Sequence, residues 1–271
     1  MVKFNIVSFQ NLTGLRLKYN SLNSIHFITL CPVISTFKNI TALDLSCNLI
    51  NLNHNDEACD KMANLFSDLD HLVRLDLSNN RLRGKLRRIL TCVTKPLQYL
   101  KLTACGLMLT DLTYLAVSHH TDNLEELDVS ENHLGNCITA LVHLLKNIHK
   151  QVCVLELEDV TLLNHHCIML CTSLRTCTSL LYLNIMGNRF TKENTLCVAQ
   201  SIAGLSSLQC LCLSYPSDCY LGDLEEELEP AQKQFAVDFG DIIYRQQQHL
   251  GIPNRIPNVV FSEIDPSTMF E

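Results

Sequence analysis

The chain has 271 residues, 47% of them hydrophobic and only 18% charged, with a formal net charge of −7 and 14 cysteines. A composition this apolar, free of long polar or Pro/Gly/Ser tracts, excludes a disordered chain; no apolar run reaches the roughly 18 residues of a membrane-spanning helix; and the negative balance argues against nucleic acid as a partner. The opening MVKFNIVSFQ lacks the apolar core of a secretory signal, so the expected compartment is the cytoplasm, with the nucleus left open, and no membrane association is expected.

The first ten residues hold a degenerate strand at Phe4–Phe9 or continue a longer protein. From Leu12 onward the pattern LxxLxLxx(N/C)xL recurs eight times, beginning at Leu12, Ile40, Leu72, Leu97, Leu124, Val152, Leu180 and Leu208, with the last copy truncated at Pro216. The spacings are 28, 32, 25, 27, 28, 28 and 28 residues, the period of leucine-rich repeats. In each unit the second and third apolar positions, such as Leu75 and Leu77, alternate on a short strand and point inward, so the residues between them point outward. An Asn follows in five copies (Asn20, Asn48, Asn80, Asn132, Asn188), where its amide turns the chain out of the strand. Cys105 replaces it with a weak thiol donor, and Val160 cannot replace it, so that turn is expected to be looser or satisfied by water.

Helical periodicity fills the intervals at Asp56–Leu69, Lys85–Val93, Thr110–Val117, Cys137–Ile148, His166–Leu174 and Lys192–Leu205, with Ile138, Leu141, Val142 and Leu145 the clearest stripe. The long spacing before Leu72 puts its extra residues in the polar run Asn51–Asp60, a surface loop or convex extension. The fold class is therefore α/β: a right-handed leucine-rich-repeat solenoid, a horseshoe with parallel strands on the concave face and helices on the convex face. After Leu213 the repeat stops. Tyr215–Pro230 reads as an acidic, turn-rich connection; Pro230 opens a helix with the stripe Phe235, Phe239, Ile242 and Ile243; and a strand covers Val259–Phe261. Residues 1–213 thus form the repeat domain and 214–271 a capping segment.

The cysteines show no CxxC pair, and those inside helical stripes, Cys167 and Cys171 with Leu170 and Leu174, read as reduced core thiols. The sequons at Asn11 and Asn39 then go unused. His165, His166, Cys167, Cys171 and Cys177 match no zinc spacing, and His119-His120 reads as a solvated helix end. No phosphate-binding loop, nucleophile elbow or zincin motif occurs, and nine glycines leave little for a phosphate cradle, so neither an enzyme nor a cofactor is expected. The basic run Arg81, Arg83, Lys85, Arg87, Arg88 lacks interleaved aromatics and reads as a solvated convex face, and the acidic tail cluster Asp223, Glu225, Glu226, Glu227 and Glu229 reads as a solvated loop.

The concave face carries the candidate binding surface. Its outward positions are Arg16 and Lys18, then Asp44, Asp76, Tyr99 with Lys101, Glu126 with Asp128, Glu156 with Glu158, Tyr182 with Asn184, and Cys212. Asp44, Asp76, Glu126, Asp128, Glu156 and Glu158, joined by Asp159, form an acidic stripe interrupted by Lys101. Like charges on neighbouring strands are unfavourable, so their accumulation points to a client protein with a basic surface, with Tyr99 and Tyr182 as aromatic contacts.

The succession of LDLSxN units with an LKLTACGL unit, closed by LCLSYPSDCY and then an acidic and helical tail, resembles the PRAME family (preferentially expressed antigen in melanoma) and its leucine-rich repeat-containing protein 14 branch. Leu213, Tyr215, Pro216 and Tyr220 echo that family's closing segment. The resemblance covers about Ile40–Glu271. It implies a ribonuclease-inhibitor-like interaction module that works as substrate-recognition adaptor of a cullin-2 ubiquitin ligase and as a negative regulator of signalling or transcription. The family's elongin and cullin contacts come from a helical box before the repeats, expected in a segment absent from this chain. Ser207-Leu208 with Cys212 loosely fits an elongin box but falls on a predicted strand. The alternative is an inhibitor that binds and occludes a kinase or other enzyme.

Overall fold

The computed structural model describes residues 11–216, 218 and 225–262. These fall into two compact units, one within residues 1–132 and one within 133–271. The first contains β1 (Gly14–Arg16), α1 (Ser24–Ile34), β2 (Ala42–Asp44), α2 (Asp56–Asp68), β3 (Arg74–Asp76), α3 (Leu86–Leu90), β4 (Tyr99–Lys101), α4 (Leu109–Val117), a 3-10 turn at His119–Asp122, and β5 (Glu126–Asp128). The second contains a 3-10 turn at Gly135–Cys137, α5 (Ile138–Ile148), β6 (Val154–Glu156), α6 (Asn164–Leu174), β7 (Tyr182–Asn184), α7 (Lys192–Ile202), β8 (Cys210–Ser214), α8 (Glu225–Leu250) and β9 (Asn258–Ser262). No helix among the described residues is long and apolar enough to cross a membrane.

Both units are leucine-rich-repeat stacks. In the first, β1 to β5 pair in parallel with Leu15, Leu43, Leu75, Leu100 and Leu127 in register. In the second, β6 to β9 pair in parallel with Leu155, Leu183, Leu211 and Val259 in register. From Leu43 to Leu211 these central leucines are fully or almost fully buried, each worth about 1.5–3 kcal/mol over an exposed side chain. Three-residue strands cannot stand alone, so the stacked column supplies the stability that each repeat lacks.

The turn after each strand has one geometry. Tyr19, Cys47, Asn79, Ala104, Glu131 and Asp159 all lie at positive φ, one residue before the Asn position. Among the described residues glycine takes that place at Gly187 alone, where a Cβ would lie 3.0 Å from Cβ of Asp159. The following amide then serves two repeats. Asn132 Nδ2 donates to the carbonyls of Leu102, Val129 and Ser130, while its Oδ1 accepts from the amides of Cys105 and Leu107. Where the Asn is missing, the backbone substitutes. Cys105 Sγ donates to Leu77 O at 3.3 Å, and the Leu82 amide bonds to Cys105 O. At the fully buried Val160 the Leu134 amide likewise bonds to Val160 O at 3.0 Å. The looser or watered turn expected at Val160 is therefore corrected.

Six expected helices form within a few residues of their expected bounds. The 25-residue spacing shortens α3 to Leu86–Leu90 because few residues remain to wind it. Helix α1 has no counterpart among the expected elements. Asn23 caps it by accepting from the His26 amide at 2.9 Å, and Phe27, Cys31 and Ile34 form its buried i, i+4, i+7 stripe. Pro32, inside the last turns, masks that signal. Part of the Asn51–Asp60 run is core rather than loop: Leu52 is fully buried, and Asn55 caps α2 through the Ala58 amide.

Pro230 does not open its helix. Helix α8 starts at Glu225, so the proline falls in the second turn and the expected acidic connection is partly helical. Phe235, Phe239 and Ile243 are buried, and the Phe261 ring on β9 packs 5.8 and 5.7 Å from the two phenylalanine rings and stacks on Tyr215 at 4.8 Å. The strand expected over Phe4–Phe9, and Tyr220 and Asp223, lie outside the described residues.

Candidate functional site

The strand faces expose the outward columns, and the two units differ in what those columns hold. In the first unit the acids are matched by cations. Arg16 Nε lies 3.2 Å from Asp44 Oδ2, Arg74 Nη2 lies 3.7 Å from Glu126 Oε1, and Lys101 Nζ lies 3.7 Å from Asp128 Oδ2. The Tyr99 ring meets two of these cations, with the Arg74 guanidinium 4.6 Å and the Lys101 ammonium 5.6 Å from its centroid. The one-signed stripe is therefore corrected for this unit: Arg74, left out of the sequence reading, is the outward partner of Asp76 on β3. Period-two alternation about Leu75 was the signal that could have found it. An open concavity of about 650 Å³ lies over these strands, with small Gly14 and Ala42 among its lining and Arg16, Lys18 and Arg74 around it.

Three acids of this face also have a local structural duty. Asp44, Asp76 and Asp128 each accept, through Oδ1, the amide two residues ahead, of Ser46, Ser78 and Ser130, at 3.0, 2.9 and 3.0 Å. This Asx turn ends the strand, and explains why LDLS recurs. Asp128 is bound further by Thr103 Oγ1 at 2.8 Å and is itself buried. Burial raises the Asp76 carboxyl above the usual range, and the in-register Asp44 adds to the shift.

The second unit carries Val154 and Glu156 on β6, Tyr182 and Asn184 on β7, Cys210 and Cys212 on β8, and Asn258 and Val260 on β9, so its paired strand columns hold no lysine or arginine. Asn184 Nδ2 reaches Glu156 Oε2 at 3.1 Å and Glu158 Oε2 at 3.0 Å, holding two carboxylates together, while Asn184 Oδ1 takes the Met186 amide as the aspartates do in the other unit. Burial raises the Tyr182 hydroxyl, and Cys212 Sγ lies 3.5 Å from it.

Elsewhere the side chains rejected as sites have structural partners. Arg88 reaches Asp60 at 2.7 Å and also binds Asp56, so the convex basic run is ion-paired to α2 rather than simply solvated. His120 is not a solvated helix end. It is 1% exposed, with Nδ1 accepting the Leu97 amide at 3.2 Å, so Nε2 carries the proton and donates to Leu90 O at 3.1 Å. Burial and neighbouring His119 depress it to about 4. His166 Nδ1 accepts from the Leu163 amide at the start of α6. The sequence resembling an elongin box leads into β8 and ends on it at Cys212, with Leu208 and Leu211 buried in the core. No disulfide links the described cysteines, and no group of three or more metal-ligating side chains occurs among the described residues.

Comparison with known proteins places these features in a family. A family model described as the PRAME C-terminal domain matches residues 16–245. Leucine-rich repeat-containing protein 14 of Xenopus laevis is 32% identical over 166 residues, covering 61% of this chain and 33% of that protein. Preferentially expressed antigen in melanoma-like protein 7 of Mus musculus is 28% identical over 162 residues, covering 59% of this chain and 34% of its own length. The chain thus spans about a third of the length of these curated relatives. Among solved structures, the leucine-rich repeat-containing protein LegL7 of Legionella pneumophila superposes with a TM-score of 0.53 over 98% of this chain and 90% of its own, at 18% identity, a likeness of fold alone.

Proposed function

The chain belongs to the PRAME C-terminal domain family, and on that premise we propose that its strand faces capture a client protein with a basic surface and present it to a cullin-2 ubiquitin ligase, with down-regulation of a signalling or transcriptional client as the result. The observation that carries the client reading is the second unit's face, where Glu156 and Glu158 are held side by side by Asn184 among strand columns free of lysine and arginine. Two adjacent carboxylates at fixed spacing attract a lysine or arginine at long range and select it at short range. The first unit contributes Tyr99, with Arg74 and Lys101 on its ring, as a stiff contact of the kind that anchors protein interfaces. The acids there serve turns as well as any client, so the strongest charge discrimination falls to Glu156 and Glu158. The ligase step rests on family kinship, through an elongin-binding segment outside these repeats.

The test is affinity capture from cells with this chain and with an amino-terminally extended form. Glu156→Lys combined with Glu158→Lys is expected to abolish client capture with folding intact, while Arg81→Glu with Arg87→Glu on the strand-exit and convex side leaves it unchanged. The reverse pattern overturns the strand-face reading. Elongin and cullin-2 are expected with the extended form; a client captured without them overturns the ligase step and leaves occlusion of an enzyme as the function.

A further inference from the structure

Strand β8 places two cysteines on the outward face. Cys210 and Cys212 are two residues apart on an extended strand, so both side chains project to the same side, and their sulfurs lie 3.9 Å apart. Cys210 is half-buried and Cys212 is 7% exposed, beside the outward residue Val260 on β9, which is 40% exposed.

The strand keeps these thiols from bonding to each other. Positions i and i+2 are about 6.6 Å apart along a strand, whereas a disulfide needs its Cβ atoms about 3.8 Å apart and its sulfurs about 2.05 Å apart. Closing that gap would pull β8 out of register with Leu183 on β7 and Val259 on β9, both paired to Leu211. Two sulfurs at this spacing do suit a shared ion, because metal–thiolate bonds of about 2.3 Å can bridge donors up to roughly 4.6 Å apart.

We infer that Cys210 and Cys212 form a two-thiolate site for a soft monovalent metal ion, copper(I), on the strand face of the second unit. Thiolate ligands select soft ions. Zinc would require four donors, and no group of three or more histidine, cysteine or carboxylate side chains that could hold a metal occurs among the described residues. Binding replaces two S–H bonds by two Cu–S bonds and releases two protons to solvent, with copper remaining monovalent throughout. Tyr182 is the orienting neighbour. Its hydroxyl, 3.5 Å from Cys212 Sγ, turns to donate to the new thiolate. The site is independent of client capture, which rests on Glu156 and Glu158.

Anaerobic titration of the reduced full chain with copper(I) supplied as its bicinchoninate complex tests the site. Cys210→Ser and Cys212→Ser are each expected to lose one copper equivalent, or at least tenfold in its affinity, relative to the unsubstituted chain. Cys167→Ser with Cys171→Ser, which removes the buried pair on α6, is expected to keep that equivalent. Tyr182→Phe is expected to weaken affinity without changing stoichiometry. Equal uptake by Cys210→Ser and the unsubstituted chain overturns the proposal. A second measurement needs no substitution: X-ray absorption at one equivalent is expected to show two sulfur neighbours, and three or more would overturn it. So would a Cys210–Cys212 disulfide recovered by peptide mapping after diamide oxidation.

Discussion

In the first unit Arg16, Arg74 and Lys101 stand among Asp44, Glu126 and Asp128, each within 4 Å of an opposite charge; in the second unit the same strand positions are filled by Val154, Glu156, Tyr182, Asn184, Cys210 and Cys212. One backbone design thus supports two surfaces. The inward positions are interchangeable leucines because they face a common core, whereas the outward positions are restrained only by neighbouring columns and by the turn that follows. Where a carboxylate sits two residues before a turn amide it is partly structural, and where it is held by an amide side chain it belongs to a shared pair. The acid at position 44, 76 or 128 and the acid at position 156 therefore differ in role although the motif writes them alike.

The shared core is the sharpest way to break this comparison. Leu127→Ala in the first unit and Leu155→Ala in the second are each expected to destabilise by about 2–5 kcal/mol, read by urea denaturation. A near-zero effect at either would mean that the two units do not share one repeat register.

Next in size is the Asn ladder. Asn132→Ala leaves three carbonyls and two amides without their side-chain partner and is expected to cost about 2–3 kcal/mol. Val160→Asn is expected to gain little by comparison, since the Leu134 amide already bonds to Val160 O. A gain comparable to the Asn132 loss would show that the backbone substitute is inadequate.

The first unit also holds a buried neutral imidazole. Because folding lowers His120 from 6.5 to about 4, the unfolded chain takes up the proton first as pH falls. Its contribution is complete above pH 6.5, is lost progressively between 6.5 and 4, and is constant below that, on the order of 3 kcal/mol in all. Denaturation curves of the parent and His120→Asn across pH 4–7 check this, and parallel pH profiles would sink it.

The smallest expected effect is at the matched charges. Arg74→Ala removes an exposed pair with Glu126, and the stability change is expected to stay below about 1 kcal/mol, while the salt dependence of client association shifts because Glu126 and Asp76 are then less shielded. A loss of several kcal/mol would make Arg74 part of the core scaffold rather than of the surface.

The repeat period, the inward leucines, the Asn positions and six of the helices were legible in the sequence because each is a local or near-neighbour pattern whose spacing states its geometry. Helix α1 was hidden by Pro32 in its last turns, and the start of α8 by the expectation that Pro230 must be a first-turn residue. The candidate residues at the strand faces were largely legible as positions but not as roles. Period two places Asp128 and Glu156 outward, yet only the fold brings Thr103 and Lys101 onto the first and Asn184 onto the second, from strands 25 to 28 residues away. His120 shows the same limit. Its neighbour His119 is exposed, and only the packing of the segment from Leu90 to Leu97 against it decides that His120 is buried and neutral. By itself, then, the sequence determined the α/β leucine-rich-repeat fold and which side of each strand meets the core, since these follow from a period repeated within about 28 residues. Tertiary structure alone decided which charges are neutralised, which are shared, and which thiols meet, because those depend on distances between side chains that only stacking brings together.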